Sequence, residues 1–153
     1  MPKTSAGLLM YKTKPQLQVF LAHPGGPFFR NKDVWGIPKG ELNGGEEPME
    51  AAKREFREET GIEPKGPFIS LGSIRQASGK IVHGWAFEGD WSGLLLGTSY
   101  VNLEYPAKSG KFVKFPEIDK ASFFTIEKAK KKINKSQAEL LKRLQDYLKN
   151  NRL

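Results

Sequence analysis

Between Arg54 and Gly61 the chain reads REFREETG, which sets carboxylates at Glu55, Glu58 and Glu59. On a helix, positions i, i+3 and i+4 share a face, so these three acids are expected to converge on one patch. Like charges at that spacing destabilise an isolated helix by about a few tenths of a kcal/mol per pair. Arg54 and Arg57 offer one offset, as counter-ions of an exposed acidic face. A hard divalent cation offers another. Mg²⁺ takes oxygen ligands in octahedral geometry, keeps several waters and fills its shell with the phosphate oxygens of a substrate. Bound to this patch, it would turn repulsion into attraction and keep all three glutamates ionised. The chain has no cysteine and only His23 and His83, so it has neither a thiolate nucleophile nor a Cys-based zinc site. Any metal is expected to be held by oxygen.

Positioning the acids falls to a Gly-rich turn and the helix after it. Pro48 suits the first helical turn and Gly61 a left-handed C-terminal cap. Met49, Ala52 and Phe56 form the inward stripe, leaving the polar face for chemistry. Upstream, apolar runs at 5–12 and 17–22 around Lys14-Pro15-Gln16 predict a hairpin. HPGGPFFRNKD reads as a surface loop, and Val34–Ile37 as a brief strand before Pro38-Lys39-Gly40. Downstream, 67–76 and 80–90 predict strands joined at Ser78-Gly79, with His83, Trp85 and Phe87 on one alternating face. Residues 92–111 are rich in Gly and Ser and read as a long loop, a candidate substrate lid. Ala121–Thr125 is the last predicted strand, and two helices follow. The second opens with Ser136 and Glu139 at capping-box spacing and turns Leu141, Leu144 and Leu148 inward.

At 153 residues the chain fits one domain, expected over 1–153. Its 38% hydrophobic and 27% charged residues suit a globular fold rather than a disordered or fibrous chain. No apolar run approaches the roughly 18 residues of a membrane span, and MPKTSAGLLMYKTK lacks the apolar core and cleavage site of a signal peptide. A cytoplasmic protein with no membrane partner, monomer or homodimer, is expected. The net charge of +8 is uneven: from Lys128 to Leu153 nine Lys and Arg face only Glu139 and Asp146, which puts +7 of it in the tail. That excess is either a solvated helical face or a docking surface for a polyanion.

The wider spacing around the acids is more specific than any of these features. Gly40, five residues, Glu46, seven residues, Arg54-Glu55-Phe56, one residue, Glu58-Glu59, one residue and Gly61-Ile62 match the Nudix box at every specified position. Seven fixed residue types at average frequencies make a chance match roughly one in a million. The chain thus resembles the Nudix hydrolases, and AGLLMY, HPGGPFF, WGIPKGE and FPEID resemble a group of small bacterial proteins described as predicted nucleotide pyrophosphohydrolases. The resemblance implies an α/β fold, the Nudix α/β/α sandwich with a central mixed sheet. It implies that Glu55, Glu58 and Glu59 hold Mg²⁺ or Mn²⁺, directly or through water, with the Lys39 carbonyl completing the site. It gives Arg54 the task of fixing a glutamate rotamer and Glu46 that of locking loop to helix, while Gly40, Gly44 and Gly45 let the backbone bend close to metal and phosphates. Many relatives place one further acid before the last strand. Glu117 stands at the expected distance from Phe123, with Glu104 as its competitor.

The implied reaction is hydrolysis of a phosphoanhydride in a nucleoside diphosphate linked to another group. Glu58 is the first choice for the general base and Glu55 the next. The Lys39 side chain is placed to meet a phosphate, and Trp85 or Tyr105 to stack on a base, unless those rings serve only packing. WGIPKGE resembles the W-x-x-P-K-G form of diadenosine polyphosphate and diphosphoinositol enzymes more than the P-G-G-K form of 8-oxo-dGTP sanitising enzymes. A dinucleoside polyphosphate or a nucleoside triphosphate is therefore the expected small-molecule substrate. Two other readings stand beside it: pyrophosphate removal from RNA 5′ ends, with the basic tail contacting phosphates, and a non-catalytic nucleotide- or RNA-binding module.

Overall fold

From Ala6 to Tyr11 every residue is buried, with no polar break, as in a strand covered on both faces. In the computed structural model, which describes residues 3–93, 95 and 99–151, this run is the centre of β1 (Thr4–Lys12). Side-chain alternation divides it. Ala6, Leu8 and Met10 pack with Ala51, Ala52 and Phe56 of α1 (Pro48–Thr60), whereas Leu9 and Tyr11 join a larger cluster with α2 (Ile126–Lys132) and α3 (Ala138–Asn150). The result is the expected α/β/α sandwich.

The sheet between the helices is mixed, in the order β4 (Ile69–Arg75), β5 (Ile81–Glu88), β1, β2 (Gln18–Pro24), β8 (Ile118–Thr125). β5 runs parallel to β1 along its whole length. The opposite edge of β1 is divided between two partners. β2 pairs with it only at Tyr11 and Lys12, and β3 (Lys39–Glu41) takes Ser5, Ala6 and Gly7. Gly7 makes the second pairing possible, because a Cβ there would lie 2.6 Å from the Pro38 carbonyl oxygen and 2.7 Å from Lys39 Cβ. The β1–β2 hairpin and the turn at Gly79 (φ 91°) between β4 and β5 form as expected.

Four expectations need correction. Val34–Ile37 is not a strand: the segment makes single bridges from Gly36 to Ala22 and from Trp35 to Ile133, and the strand starts beyond Pro38. Its backbone ties the sheet to α2, with Trp35 N donating to the Lys132 carbonyl at 2.8 Å. In α1, Met49 is only half-buried, and Ala51 shares the inward stripe with Ala52 and Phe56. Residues 92–111 are not one loop. β6 (Tyr100–Glu104) pairs antiparallel with β7 (Phe112–Pro116) as a separate ribbon, while residues 94 and 96–98 of that expected lid lie outside the described residues. The ribbon's turn is closed by Glu104, whose carboxylate accepts the N–H groups of Lys108 and Gly110 at 3.0 and 3.1 Å. Ser136 and Glu139 form no capping box either. Asn134 caps a 3-10 turn at 135–137, and α3 begins only at Ala138. Leu141 and Leu144 are buried as expected, joined by Leu140, with Leu148 packed at the margin. Among the described residues, no helix is long and apolar enough to cross a membrane.

Candidate active site

Glu55 and Glu59 lie one helical turn apart on α1, which packs its face against β1 and β3. A Cβ at Gly40 would overlap the Glu55 carboxyl group, so this glycine is the reason a carboxylate can sit against β3. Glu117 arrives from the single residue between β7 and β8. Its N–H donates to the Ser99 carbonyl and its own carbonyl accepts from Gly25 N, both at 2.9 Å. A Cβ at Gly25 would overlap the Pro116 carbonyl oxygen, so only glycine permits this approach. Together these elements bring carboxylate oxygens of Glu55, Glu59 and Glu117 within 4.8 Å of one another. Glu58 is not part of that group. Its side chain is 48% exposed, and Oε2 accepts from Arg54 Nη1 at 3.2 Å.

Arg54 organises the outer carboxylates. It donates from Nε and Nη2 to the two oxygens of Glu46 (2.9 and 3.0 Å), from Nη1 to Glu55 (2.8 Å) and Glu58, and from Nη2 to the Glu41 carbonyl. Glu46 also accepts from Asn43 N at 2.9 Å, which closes the loop onto the helix. The Arg54 fork and this backbone bond hold the Glu46 carboxyl down at about 2.

The inner group is the reverse. Glu59 is 5% exposed and its Oε2 has no hydrogen-bond partner. Burial first, then the charges of Glu117 and Glu55, push its pKa up to about 9, with Lys39 opposing. Burial also raises Glu55 against the pull of Arg54. The Lys39 ammonium is lowered, mainly by burial and then by Lys80. Ionised carboxylates have no hydrogen to donate to one another, so the buried Glu59 oxygen calls for a proton shared with a neighbour or for a cation. An orphaned buried oxygen within an all-oxygen donor set fits a hard divalent cation.

Glu59, Glu117 and Lys39 open onto a cleft of about 460 Å³, a size suited to a nucleotide-scale ligand. Its apolar walls include Phe28, Phe29 and Val34 from the loop after β2, and Val101 and Leu103 from the ribbon. His23 braces that loop, with Nδ1 2.8 Å from Asp119 Oδ1 and Nε2 2.7 Å from the Lys32 carbonyl. Trp85 and Tyr105 are not among the lining residues. Trp85 packs with the α1-side core near His83, and Tyr105 sits edge-on to Phe115. Glu104 is committed to its turn. Asn134 and Gln137 line the cleft but carry no motif, and the exposed Phe28-Phe29 pair was the only sequence signal for the wall.

The chain belongs to the NUDIX domain family, whose model matches residues 1–144. It is 34% identical over 93 residues to an RNA pyrophosphohydrolase of Bartonella clarridgeiae, covering 61% of this chain and 46% of that protein. A second RNA pyrophosphohydrolase, from Mesorhizobium japonicum, is 43% identical over 42 residues, covering 28% of this chain and 24% of the relative. The matched chain thus spans less than half the length of either curated relative. Among solved structures, a C. elegans Ap4A hydrolase complex superposes with a TM-score of 0.67 at 19% identity, covering 95% of this chain and 98% of that one. The NUDIX domain of Shewanella oneidensis NrtR, complexed with ADP ribose, gives 0.68 at 13% identity, covering 97% and 89%. These two likenesses establish the fold.

Proposed function

We propose that this protein hydrolyses a phosphoanhydride bond in a nucleoside diphosphate linked to a further group, using Mg²⁺ or Mn²⁺ held by Glu55, Glu59 and Glu117. The observation that carries this reading is the buried, unpartnered Oε2 of Glu59, set among two other carboxylates and open to the cleft. Bound there, a divalent cation supplies phosphate charge neutralisation and a water acidified toward neutral pH. The Lys39 carbonyl and Glu58 are the further ligands that the family pattern supplies, directly or through water.

The chain's own groups do the aiming. Lys39 meets a phosphate oxygen with its ammonium, and Arg54 fixes the Glu55 rotamer. Glu58 Oε1, without a hydrogen-bond partner among the described residues, accepts the proton of the attacking water, a contribution of about 10²–10⁴-fold.

A dinucleoside polyphosphate is the favoured substrate on the strength of WGIPKGE. RNA 5′ ends are the second reading, favoured by the names of both curated relatives and by the exposed Lys128, Lys130 and Lys131 of α2. Phosphate and nucleotide release is to be measured with diadenosine polyphosphates, nucleoside triphosphates and 5′-triphosphorylated RNA, in Mg²⁺ and in EDTA. Turnover only in Mg²⁺ supports the proposal, and no turnover of any phosphoanhydride removes it. RNA preference that weakens when the three lysines become alanine would select the second reading. Substitution is the right probe, because Ala129, Leu140, Leu141 and Leu144 make both closing helices part of the core.

A further inference from the structure

The two most exposed of the large apolar side chains described are both on the β6–β7 ribbon, Phe112 at 67% and Tyr100 at 61%. Tyr100 stands opposite Pro116, Asn102 opposite Lys114 and Glu104 opposite Phe112, and residues paired across an antiparallel ladder point to the same side. The rings therefore share one face. The alternate residues turn inward, where Val101 and Leu103 line the cleft and Leu103 and Phe115 close on Gly26. The ribbon thus spends its inner face on the wall and leaves its outer face to solvent, rings included. A patch of that kind marks a surface that meets something.

Charge narrows what that something is. Lys108, Lys111 and Lys114 are exposed, and none makes an ion pair among the described residues. The ribbon's one acid, Glu104, is occupied by the N–H groups of Lys108 and Gly110. From the Glu117 end outward the face reads Tyr100, Lys114, Phe112 and then Lys111, so ring and cation alternate, with the two rings about 13 Å apart along the strands. Single-stranded nucleic acid has the matching alternation: its bases stack on rings whatever their sequence, and the phosphates between them take ammonium groups. A second copy of this chain would instead set lysine against lysine. We propose that the outer face of the ribbon binds single-stranded RNA and carries it away from a 5′ end seated in the cleft. Tyr100 pairs with Pro116, the residue before Glu117, so the track begins beside the acidic group, and RNA is the strand whose 5′ end bears a phosphoanhydride. The proposal rests on the phosphoanhydride reading in its RNA form, and it adds a contact surface outside the Nudix box and distinct from the α2 lysines.

The test separates binding from turnover. An unstructured, 5′-monophosphorylated RNA of about eight nucleotides, labelled at its 3′ end, is titrated in Mg²⁺ at several salt concentrations and followed by fluorescence anisotropy. It has no phosphoanhydride to lose. Phe112→Ala and Tyr100→Ala are each expected to weaken binding by about tenfold. Lys111→Ala and Lys114→Ala should each make the slope of log affinity against log salt shallower by about 0.7. The same RNA in a duplex should bind more weakly, because its bases are no longer free to stack. All four variants should keep the wild-type thermal midpoint and the wild-type rate on a diadenosine polyphosphate, since none of these side chains lines the cleft. Absence of RNA binding, equal affinity for the duplex, unchanged affinity in the ring variants, or loss only when Lys128, Lys130 and Lys131 become alanine would overturn the inference. So would a dimer in sedimentation that Phe112→Ala dissociates, because a second copy would then cover the rings. If RNA binds through the ribbon but no phosphoanhydride is cleaved, the surface stands and the hydrolytic reading falls; if diadenosine polyphosphates are cleaved and RNA is not bound, the reverse holds.

Discussion

Two groups of glutamates share α1 and the turn before it, and they live in opposite circumstances. Glu46 and Glu58, on the Arg54 side, are met by a guanidinium and, for Glu46, by a backbone N–H as well. Glu59 and Glu117, on the cleft side, face each other, with Lys39 as the cation nearest to hand. Glu55 bridges the two, bonded to Arg54 and within reach of Glu59. The difference teaches that the box encodes a frame as well as a site. Glu46 is saturated so that it holds still, Glu58 keeps one oxygen free of the guanidinium, and the inner carboxylates are left short of positive charge so that they can take it from outside.

The sharpest way to break this contrast is Glu59→Gln. It should lower kcat/KM by more than about 100-fold, beyond the 10–100-fold range of residues that only support a metal ligand. It should also raise the thermal midpoint of the metal-free protein at pH 8, because it removes a carboxyl that burial and neighbours disfavour. Calorimetric titration with Mn²⁺ and a melting scan read the two signs. Loss of activity together with loss of stability would make Glu59 an ordinary core residue. Arg54→Lys attacks the frame instead. A single ammonium cannot span Glu46, Glu55 and Glu58, so kcat/KM should drop by about 10–100-fold, and an unchanged value would take Arg54 out of the mechanism.

The smallest effect is in the pH dependence of stability, where the two groups act at opposite ends. Glu59 has a folded pKa of about 9, above its ordinary value, so its contribution is full in acid and is lost as pH rises toward 9. In EDTA the thermal midpoint should decline over that range by roughly 1 kcal/mol per pH unit, or about 2–4 °C, and Mg²⁺ should flatten the decline. Glu46 titrates at about 2, below its ordinary value, so its contribution is present at neutral pH and is lost as pH falls toward 2. Scanning fluorimetry across pH with and without Mg²⁺ reads both arms. A decline in EDTA that Mg²⁺ leaves unaltered would remove the cation from the inner group.

What could be read in advance follows the reach of the contacts. Arg54, Glu46, Glu55 and Glu59 interact through a helix turn and a short loop, and their spacing announces them. Glu117 was reachable only through the family pattern, since nothing near it in sequence says that Gly25 and Ser99 will seat it. Glu58 stands on the outer edge of the predicted face, outside the close group of Glu55, Glu59 and Glu117, because i, i+3 and i+4 define a broad face that only packing against β3 divides. The cleft walls were illegible for the same reason of distance. Gln137 meets Ile37 across 100 residues, and His23 meets Asp119 across 96. The ribbon escaped because its strands are joined by a turn whose lock, Glu104, reads as just another exposed acid.

The divided edge of β1 has a consequence for how this chain can change. Lys39 keeps its register opposite Gly7, β2 leaves at Tyr11, and the segment between Pro24 and Lys39 is fixed at its two ends, by Gly25 on Glu117 and by Trp35 and Gly36 on Lys132 and Ala22. Residues can be added to or removed from the surface part of that span, 26–31, as surface connections tolerate, without shifting either strand that flanks it. New ligands could be accommodated by reshaping one side of the opening while the carboxylates opposite stay where they are.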